Sequence, residues 1–269
     1  MQFRVCGKFT APAVILRANT SAGCSGGQGC GTITAMLTVY FSGTGNTKYA
    51  AELFSGRMGG RCFSVEDDAD FAAEIKACDT VAFCYPVYGS RVPLIMREFA
   101  VKHMDALQGK KLIVLVTQTI FSGDGARVLC DLFPTGHVEV VYAEHFFMPN
   151  NVCNFALLRR TGESKTRKYM RLAERRMDGV CRNVKLGIVK RRGFSVVSRL
   201  LGKIQGRPWQ GDSGNVFAGK GTMEYQAKHS VRVDGDCTAC NVCVECCPMQ
   251  NLENRAGTIV HKNNCYTAA

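Results

Sequence analysis

The chain has 269 residues, of which 46% are hydrophobic, so it is long enough for one sizeable core and a small additional module. It carries 15 cysteines and a formal net charge of +12. Six of the cysteines follow residue 236, a distribution that favours metal ligation there and reduced thiols elsewhere, in a cytoplasmic compartment. No apolar run reaches the about 18 residues that a membrane-spanning helix needs, so we expect no transmembrane segment.

The first 35 residues lack the pattern of a folded domain, since Gly, Ser and Cys dominate their second half and no apolar period is sustained. We interpret residues 1–35 as a non-native or disordered extension and Met36 as the biological start. A secretory signal peptide is the alternative, because Arg4 and Lys8 precede a short apolar run at 11–16.

A short apolar strand at 37–41 leads into a loop of small residues and then into a helix at 48–58. This order is typical of phosphate binding, because the loop amides and the helix N-terminus together attract an anion. The loop has neither G-x-x-x-x-G-K-[ST] nor G-x-G-x-x-G spacing, which argues against a nucleoside triphosphate or dinucleotide loop. An ordinary strand–helix turn is the alternative. The candidate phosphate-binding residues are Ser42, Gly43, Thr44, Gly45, Asn46 and Thr47.

Four further strands are predicted, each an apolar run that ends in a polar or glycine-rich segment. They lie at 61–65, 80–85, 110–117 and 138–142. Strands that alternate with helices favour a parallel sheet covered on both faces. Five such strands, with a phosphate loop after the first, predict a doubly wound α/β domain whose ligands bind beyond the C-terminal strand ends.

The S-G-T-G-N-T loop after an N-terminal strand closely resembles that of flavodoxin, which cradles the phosphate of FMN. The resemblance implies that the loops at 86–93 and 118–125 flank the isoalloxazine ring, which needs flat apolar contacts and backbone donors. Tyr88 is the preferred stacking residue. The other candidate ring-contacting residues are Val87, Gly89, Phe121, Ser122 and Gly123.

Positive charge is concentrated at 159–207, where 16 Lys and Arg residues accompany three acidic residues. Two helices are predicted there, at 165–180 and 194–204, and the apolar stripe of the second is interpreted as a packing face. The basic face is interpreted as a docking surface for a redox carrier such as a ferredoxin, or as a solvated face. Attachment to an anionic membrane surface is the next interpretation. Nucleic-acid binding is not expected, because no recognisable reader motif accompanies the charge.

The C-terminal segment contains the run C-x2-C-x2-C-x3-C-P, which is typical of bacterial ferredoxins. Its spacing lets successive thiolates wrap a [4Fe–4S] cluster within one loop, and a zinc site is the alternative. We predict Cys237, Cys240 and Cys243 as ligands.

A second run, which two-cluster ferredoxins use to complete the first cluster, is reduced here to Cys265. The fourth ligand is therefore open among Cys246, Cys247 and Cys265, and a labile three-iron cluster is a further alternative. We interpret the shortened run as a truncated or frameshifted reading frame.

From residue 36 to residue 265 the chain resembles flavodoxin–ferredoxin fusion proteins, which implies FMN and iron–sulfur clusters. We expect one [4Fe–4S] cluster here, because the second run is incomplete. The predicted function is electron transfer among FMN, the cluster and an external carrier, with or without reductase activity. A non-catalytic carrier or redox-sensing module is the alternative. The predicted divisions are an extension at 1–35, a flavodoxin-like FMN-binding domain at 36–155, a basic helical connector at 156–229 and a ferredoxin-type domain at 230–269.

Overall fold

The centre of the protein is a parallel sheet of six strands in the order β2-β1-β3-β4-β5-β6. The structure is a computed structural model that describes residues 35–150, 161–210, 222–230, 233, 235–245, 247 and 250–262. The six strands are β1 Met36–Tyr40, β2 Arg61–Ser64, β3 Thr80–Pro86, β4 Lys111–Gln118, β5 Glu139–Phe147 and β6 Lys190–Arg191. The predicted doubly wound α/β fold is confirmed.

The prediction of five strands was wrong by one, because a two-residue strand completes the sheet. Lys190 pairs with Tyr142 and Arg191 pairs with Ala143 of β5. Both residues of β6 are exposed and charged, so no apolar run marks the strand in the sequence.

A buried carboxylate explains why a basic strand pairs at this edge. Glu144 of β5 is 1% exposed and lies 3.0 Å from Lys190 Nζ, 3.1 Å from Arg192 Nη1 and 3.5 Å from Arg176 Nε. Burial acts to raise the pKa of Glu144, but the His145 backbone N–H and the neighbouring cations outweigh it, so the pKa lies below its usual value. The charge of Glu144 thus holds the β6 segment to the sheet.

Eight α-helices are described around the two sheets of the protein. They are α1 Asn46–Met58, α2 Phe71–Lys76, α3 Leu94–Lys102, α4 Met104–Leu107, α5 Glu163–Lys185, α6 Val196–Gln210, α7 Met223–Ser230 and α8 Val242–Glu245. A 3₁₀ helix, Val128–Leu132, follows β4, and an antiparallel hairpin is formed by β7 Leu252–Arg255 and β8 Thr258–His261. Within the described ranges, none of the helices has the length and apolar character needed to cross a bilayer.

The sheet separates two apolar clusters, because successive side chains of a strand point to opposite faces. One cluster joins alternate residues of the strands to α2 and α3, and includes Leu37, Val39, Val81, Phe83, Val114, Phe71 and Phe99. The other joins the intervening residues to α1 and α5, and includes Ala82, Cys84, Ile113, Leu115, Phe54, Met177 and Val180. Both faces of the central strands are therefore buried, as their continuous apolar runs predict.

Helix α5, which falls in the predicted connector, packs against the sheet and against α1. Tyr49 Oη of α1 donates a hydrogen bond to Glu174 of α5, and Arg57 Nη2 lies 3.0 Å from Asp178 Oδ1. Part of the 156–229 segment is thus built into the sheet domain, and the domain boundaries themselves stay predictions.

His145 at the end of β5 is buried against the loop that follows β4. Its Nδ1 lies 3.2 Å from both Gln118 Oε1 and Ser122 Oγ, and a Cβ at Gly193 would lie 2.9 Å from its Nε2. Burial, with a smaller contribution from the positive charge of Arg192, lowers the pKa of His145 to about 4. The folded protein therefore holds a neutral imidazole at this position at neutral pH.

This lowered pKa predicts a loss of stability in acid. The unfolded chain protonates His145 near pH 6.5, whereas the folded protein does so only near pH 4, so stability falls as pH drops through this window. We expect a contribution of about 3 kcal/mol across the window. Urea unfolding at pH 7, 6, 5 and 4 measures the free energy of unfolding. The His145→Gln variant should show a smaller decrease of this free energy with falling pH. An unchanged slope in His145→Gln would contradict the assignment.

Candidate functional site

A cavity of about 100 Å³ lies where β1, β3 and β4 end. Strands β2 and β3 lie on opposite sides of β1, so the direction in which strands are added to the sheet reverses at β1. Ligands of doubly wound sheets bind at such a reversal. The cavity is lined by residues of three loops and of the segment after β5: Ser42, Gly43, Thr44, Asn46, Thr47, Pro86, Val87, Tyr88, Thr117, Gln118, Thr119, Met148 and Pro149. The structure thus brings most of the predicted phosphate-loop residues together with Val87 and Tyr88.

The loop at 42–47 turns sharply into α1 at Gly45, whose φ of 94° is favourable only for glycine. The Gly45 N–H donates a hydrogen bond of 3.1 Å to Ser42 Oγ, which closes the turn. Among the described residues, no side chain caps α1 at this end, and the first turn contains no acidic residue. The partial positive charge at the N-terminus of α1 is therefore not compensated by these side chains and can attract an anion.

Two hydrogen bonds hold the start of α1 in place from outside the loop. Thr47 Oγ1 lies 2.7 Å from Thr117 Oγ1 at the end of β4, and Asn46 Nδ2 donates to the Pro149 carbonyl oxygen at 2.9 Å. Thr47 is 1% exposed, so its hydroxyl serves this link. The start of α1 is thus anchored to β4 and to the segment after β5.

Tyr88 lies beside the phosphate loop, since a Cβ at Gly43 would be 3.7 Å from its hydroxyl oxygen. Burial raises the pKa of Tyr88 to about 12, so the phenol stays neutral and can donate a hydrogen bond. Its ring is stacked on that of Trp209, with 6.3 Å between the centroids and an angle of 24° between the planes.

Trp209 belongs to α6, which lies across the loops at 86–93 and 118–125. Gln205 of α6 accepts a hydrogen bond of 2.6 Å from Ser90 Oγ and donates one of 3.2 Å to the Phe121 carbonyl oxygen. The helix approaches closely through two glycines: a Cβ at Gly202 would overlap the Asp124 carboxylate, and a Cβ at Gly206 would overlap the Arg91 guanidinium.

Sequence reasoning missed this contact, although one signal was present. Gly202 and Gly206 are four residues apart and therefore share one face of a helix. A pair of glycines at this spacing indicates close approach to a neighbouring element.

The other predicted ring-contacting residues lie outside the cavity lining, as does Gly45. Gly89 lies against the Trp209 indole, and Gly123 lies against the backbone of Gly202. Ser122 is buried and donates to Gln118 Oε1 at 2.5 Å, whereas Phe121 is 43% exposed. Contact of these residues with a flavin ring stays a prediction.

The predicted cluster ligands are partly described. Cys237 and Cys240 are exposed, Cys243 and Cys247 are half-buried, and Cys265 lies outside the described residues. Within the parts of the chain that the structure describes, no three or more His, Cys, Asp or Glu side chains are gathered so as to hold a metal ion.

Two of these sulfur atoms accept backbone hydrogen bonds. The Ala239 N–H donates to Cys237 Sγ at 3.4 Å, and the Asn251 N–H donates to Cys247 Sγ at 3.3 Å. Ala239 also has a positive φ of 52°, so the chain bends sharply between Cys237 and Cys240.

A second cavity, of about 640 Å³, lies between the phosphate loop and the C-terminal segment. It is lined on one side by Ser42, Gly43 and Glu66, and on the other by Val244, Glu245, Cys247, Gln250, Leu252, Glu253 and Lys262. The loop at 42–47 and Cys247, one of the predicted cluster ligands, therefore line the same cavity.

Because α6 packs closely against the loop at 118–125, we expect the Gly202→Ala substitution to displace this helix. The added Cβ overlaps the buried Asp124 carboxylate, and such overpacking costs about 1–3 kcal/mol. Because Trp209 is the single tryptophan, its fluorescence reports the displacement, and we expect a red shift as the indole leaves Gly89.

Gly179→Ala in α5 is the matched control, because a Cβ there meets nothing within 4 Å. It should leave the emission maximum unchanged. Identical emission from Gly202→Ala and the wild-type protein would show that α6 is not seated as described.

Comparison with known proteins supports the fold. A family model described as a flavodoxin domain matches residues 37–190, which is more than half of the chain. No curated protein matches the chain.

Several solved structures match part of the chain at low sequence identity. A flavodoxin from the domain Archaea is 18% identical, with 56% of this chain and 99% of that chain covered and a TM-score of 0.36. The two-electron reduced flavodoxin of Megasphaera elsdenii is 22% identical, with 44% and 90% covered and a TM-score of 0.36. On the strength of the match at residues 37–190, the chain belongs to the flavodoxin domain family.

Proposed function

We propose that this protein is an electron-transfer flavoprotein that holds the phosphate of FMN in the loop at 42–47. A flavodoxin-like fold implies FMN. The observation that carries the proposal is the α1 N-terminus, which has no side-chain cap among the described residues and opens onto the cavity at the β1–β3 reversal.

The lining of the 100 Å³ cavity is suited to an anion. Its described residues include no Asp or Glu. Ser42 and Thr44 line it together with Asn46 and Thr47, whose polar side-chain groups hold the loop in place. Gly45 provides the left-handed turn that brings the loop backbone close to a phosphate.

The residues beside the loop are suited to a flat ring. Tyr88 and Val87 offer one aromatic and one aliphatic surface at the edge of the loop at 42–47. FMN supplies one- and two-electron chemistry when it is bound. The chain positions it: Tyr88 contributes a neutral hydroxyl, and α6 covers the adjoining loops through Trp209 and Gln205.

We propose further that the cysteine-rich segment holds a [4Fe–4S] cluster, so that electrons pass between FMN and this centre. Its support is the ferredoxin spacing, the amide hydrogen bonds to Cys237 and Cys247, and the cavity that Cys247 shares with the phosphate loop. Because the described cysteines are not gathered in the structure, cluster binding requires the segment to close around the metal.

The external partner in this proposal is an acidic redox carrier such as a ferredoxin. The solvent side of α5 offers exposed basic residues for it: Lys165, Arg167, Lys168, Arg171, Arg175, Arg182 and Lys185. Charge of this kind steers association more than it adds affinity. A non-catalytic carrier or redox-sensing module is the alternative function, and steady reduction of an acceptor by the loaded protein distinguishes turnover from mere storage.

Ser42→Asp tests the phosphate site directly. The new carboxylate can still accept the Gly45 N–H, so the turn is kept, but it places a negative charge beside the phosphate. Repulsion of about 1–4 kcal/mol weakens FMN binding by about 5- to 1,000-fold. Flavin fluorescence titration of the apoprotein measures the dissociation constant.

Ser42→Asn is the matched control, because the amide has the same shape without the charge. It should bind FMN within about threefold of the wild-type protein, since about 0.6 kcal/mol corresponds to that factor. Equal affinities for the Asp and Asn variants would mean that the phosphate lies elsewhere.

Iron analysis after anaerobic reconstitution of the full chain tests the cluster. We expect about four iron and four sulfide per chain, as a [4Fe–4S] centre requires. Cys240→Ser should lose them, whereas Cys181→Ser, which alters a buried thiol of α5, should retain them. Bound zinc in place of iron, or eight irons per chain, would contradict a single cluster.

A further inference from the structure

The apolar stripe of helix α6 faces solvent. Val196, Val197, Leu200 and Ile204 are 82%, 67%, 61% and 63% exposed. The expectation that this stripe is a packing face was therefore wrong. Of the predicted stripe, Phe194 packs against the core on one face of the sheet, and Leu201 is 36% exposed.

The opposite face of α6 is already engaged, so the helix cannot rotate to bury the stripe. Gly202 and Gly206 lie on Asp124 and Arg91, and Gln205 exchanges hydrogen bonds with Ser90 and the Phe121 carbonyl group. Ser195 fixes the helix start, since its Oγ accepts the Ser198 N–H at 3.1 Å. The exposed stripe is a fixed feature of the surface.

Positive charge runs along one edge of the stripe. Arg199, Lys203 and Arg207 repeat every four residues, are exposed, and so form one row beside Val196, Leu200 and Ile204. Helix α6 contains no Asp or Glu. Exposed Ile188 and Val189 precede the basic residues at 190–192, which repeats the combination of aliphatic and basic side chains.

We propose that α6 attaches the sheet domain to the surface of an anionic lipid bilayer. The aliphatic stripe enters the boundary between headgroups and acyl chains, while the row of Arg199, Lys203 and Arg207 pairs with lipid phosphates. The proposal stands independently of FMN binding. Because α6 lies over the loops at 86–93 and 118–125, attachment brings that end of the sheet to the membrane surface.

The charge and the side-chain types favour lipid over other occupants. A second copy docked through α6 would oppose two sets of the same basic residues, which is repulsive. A protein partner is favoured by aromatic anchors, yet the exposed stripe consists of Val, Leu and Ile alone. Anionic lipid complements both the aliphatic stripe and the basic row.

Vesicle sedimentation of the full chain tests the proposal. Binding to phosphatidylcholine vesicles that contain phosphatidylglycerol should exceed binding to pure phosphatidylcholine by about tenfold or more, since each basic residue near an anionic surface contributes about 1 kcal/mol. The difference should shrink as salt is raised. Equal binding to both vesicle types, or none to either, would overturn the proposal.

The double variant Leu200→Glu/Ile204→Glu should lower the affinity for anionic vesicles by about tenfold or more, because two aliphatic contacts with the acyl chains are lost. Leu172→Glu is the matched control, since Leu172 is 50% exposed on α5, and it should bind more like the wild-type protein. Both variants alter exposed side chains, and circular dichroism checks that they fold. Equal vesicle binding by the double variant and Leu172→Glu would overturn the proposal, as would a wild-type dimer that becomes monomeric in the double variant without any vesicle binding.

Discussion

The structure depends on how α1 begins. Gly45 takes a left-handed conformation in the loop between β1 and α1, so the chain turns back and α1 starts beyond the carboxyl end of β1. Its first residues are tied to β4 through Thr47 and Thr117, and to the segment after β5 through Asn46 and Pro149. The positive end of α1 is thereby held at the place where the strand order reverses, and an anion bound there needs no rearrangement of the loop.

Elements added to the sheet domain converge on the same end. Helix α6 is seated on the loops after β3 and β4 through contacts that only glycine allows at Gly202 and Gly206. The segment with Cys247 borders the cavity beside Ser42. The loop at 42–47 therefore lies near the loops that α6 covers and shares a cavity with the cysteine-rich segment.

Local features of this protein could be predicted from its sequence, whereas long-range ones could not. The loop at 42–47 was recognisable because strand, turn and helix follow one another directly. The contact of Tyr88 with Trp209 was not, because nothing near either residue indicates the other. Periodicity correctly grouped Val197, Leu200 and Ile204 on one face of a helix, but it carries no information on what covers that face. Strand β6 could not be predicted from the sequence, because its pairing depends on the buried charge of Glu144 rather than on an apolar pattern.

The central claim, that the start of α1 binds a flavin phosphate, is tested most directly by comparing two ligands that differ only in that group. Calorimetric titration of the wild-type apoprotein with FMN and with riboflavin gives both affinities under one set of conditions. Charge-assisted hydrogen bonds contribute about 1.5–3 kcal/mol each, so two of them predict that FMN binds about 100-fold tighter or more. Equal affinities for FMN and riboflavin would contradict the account.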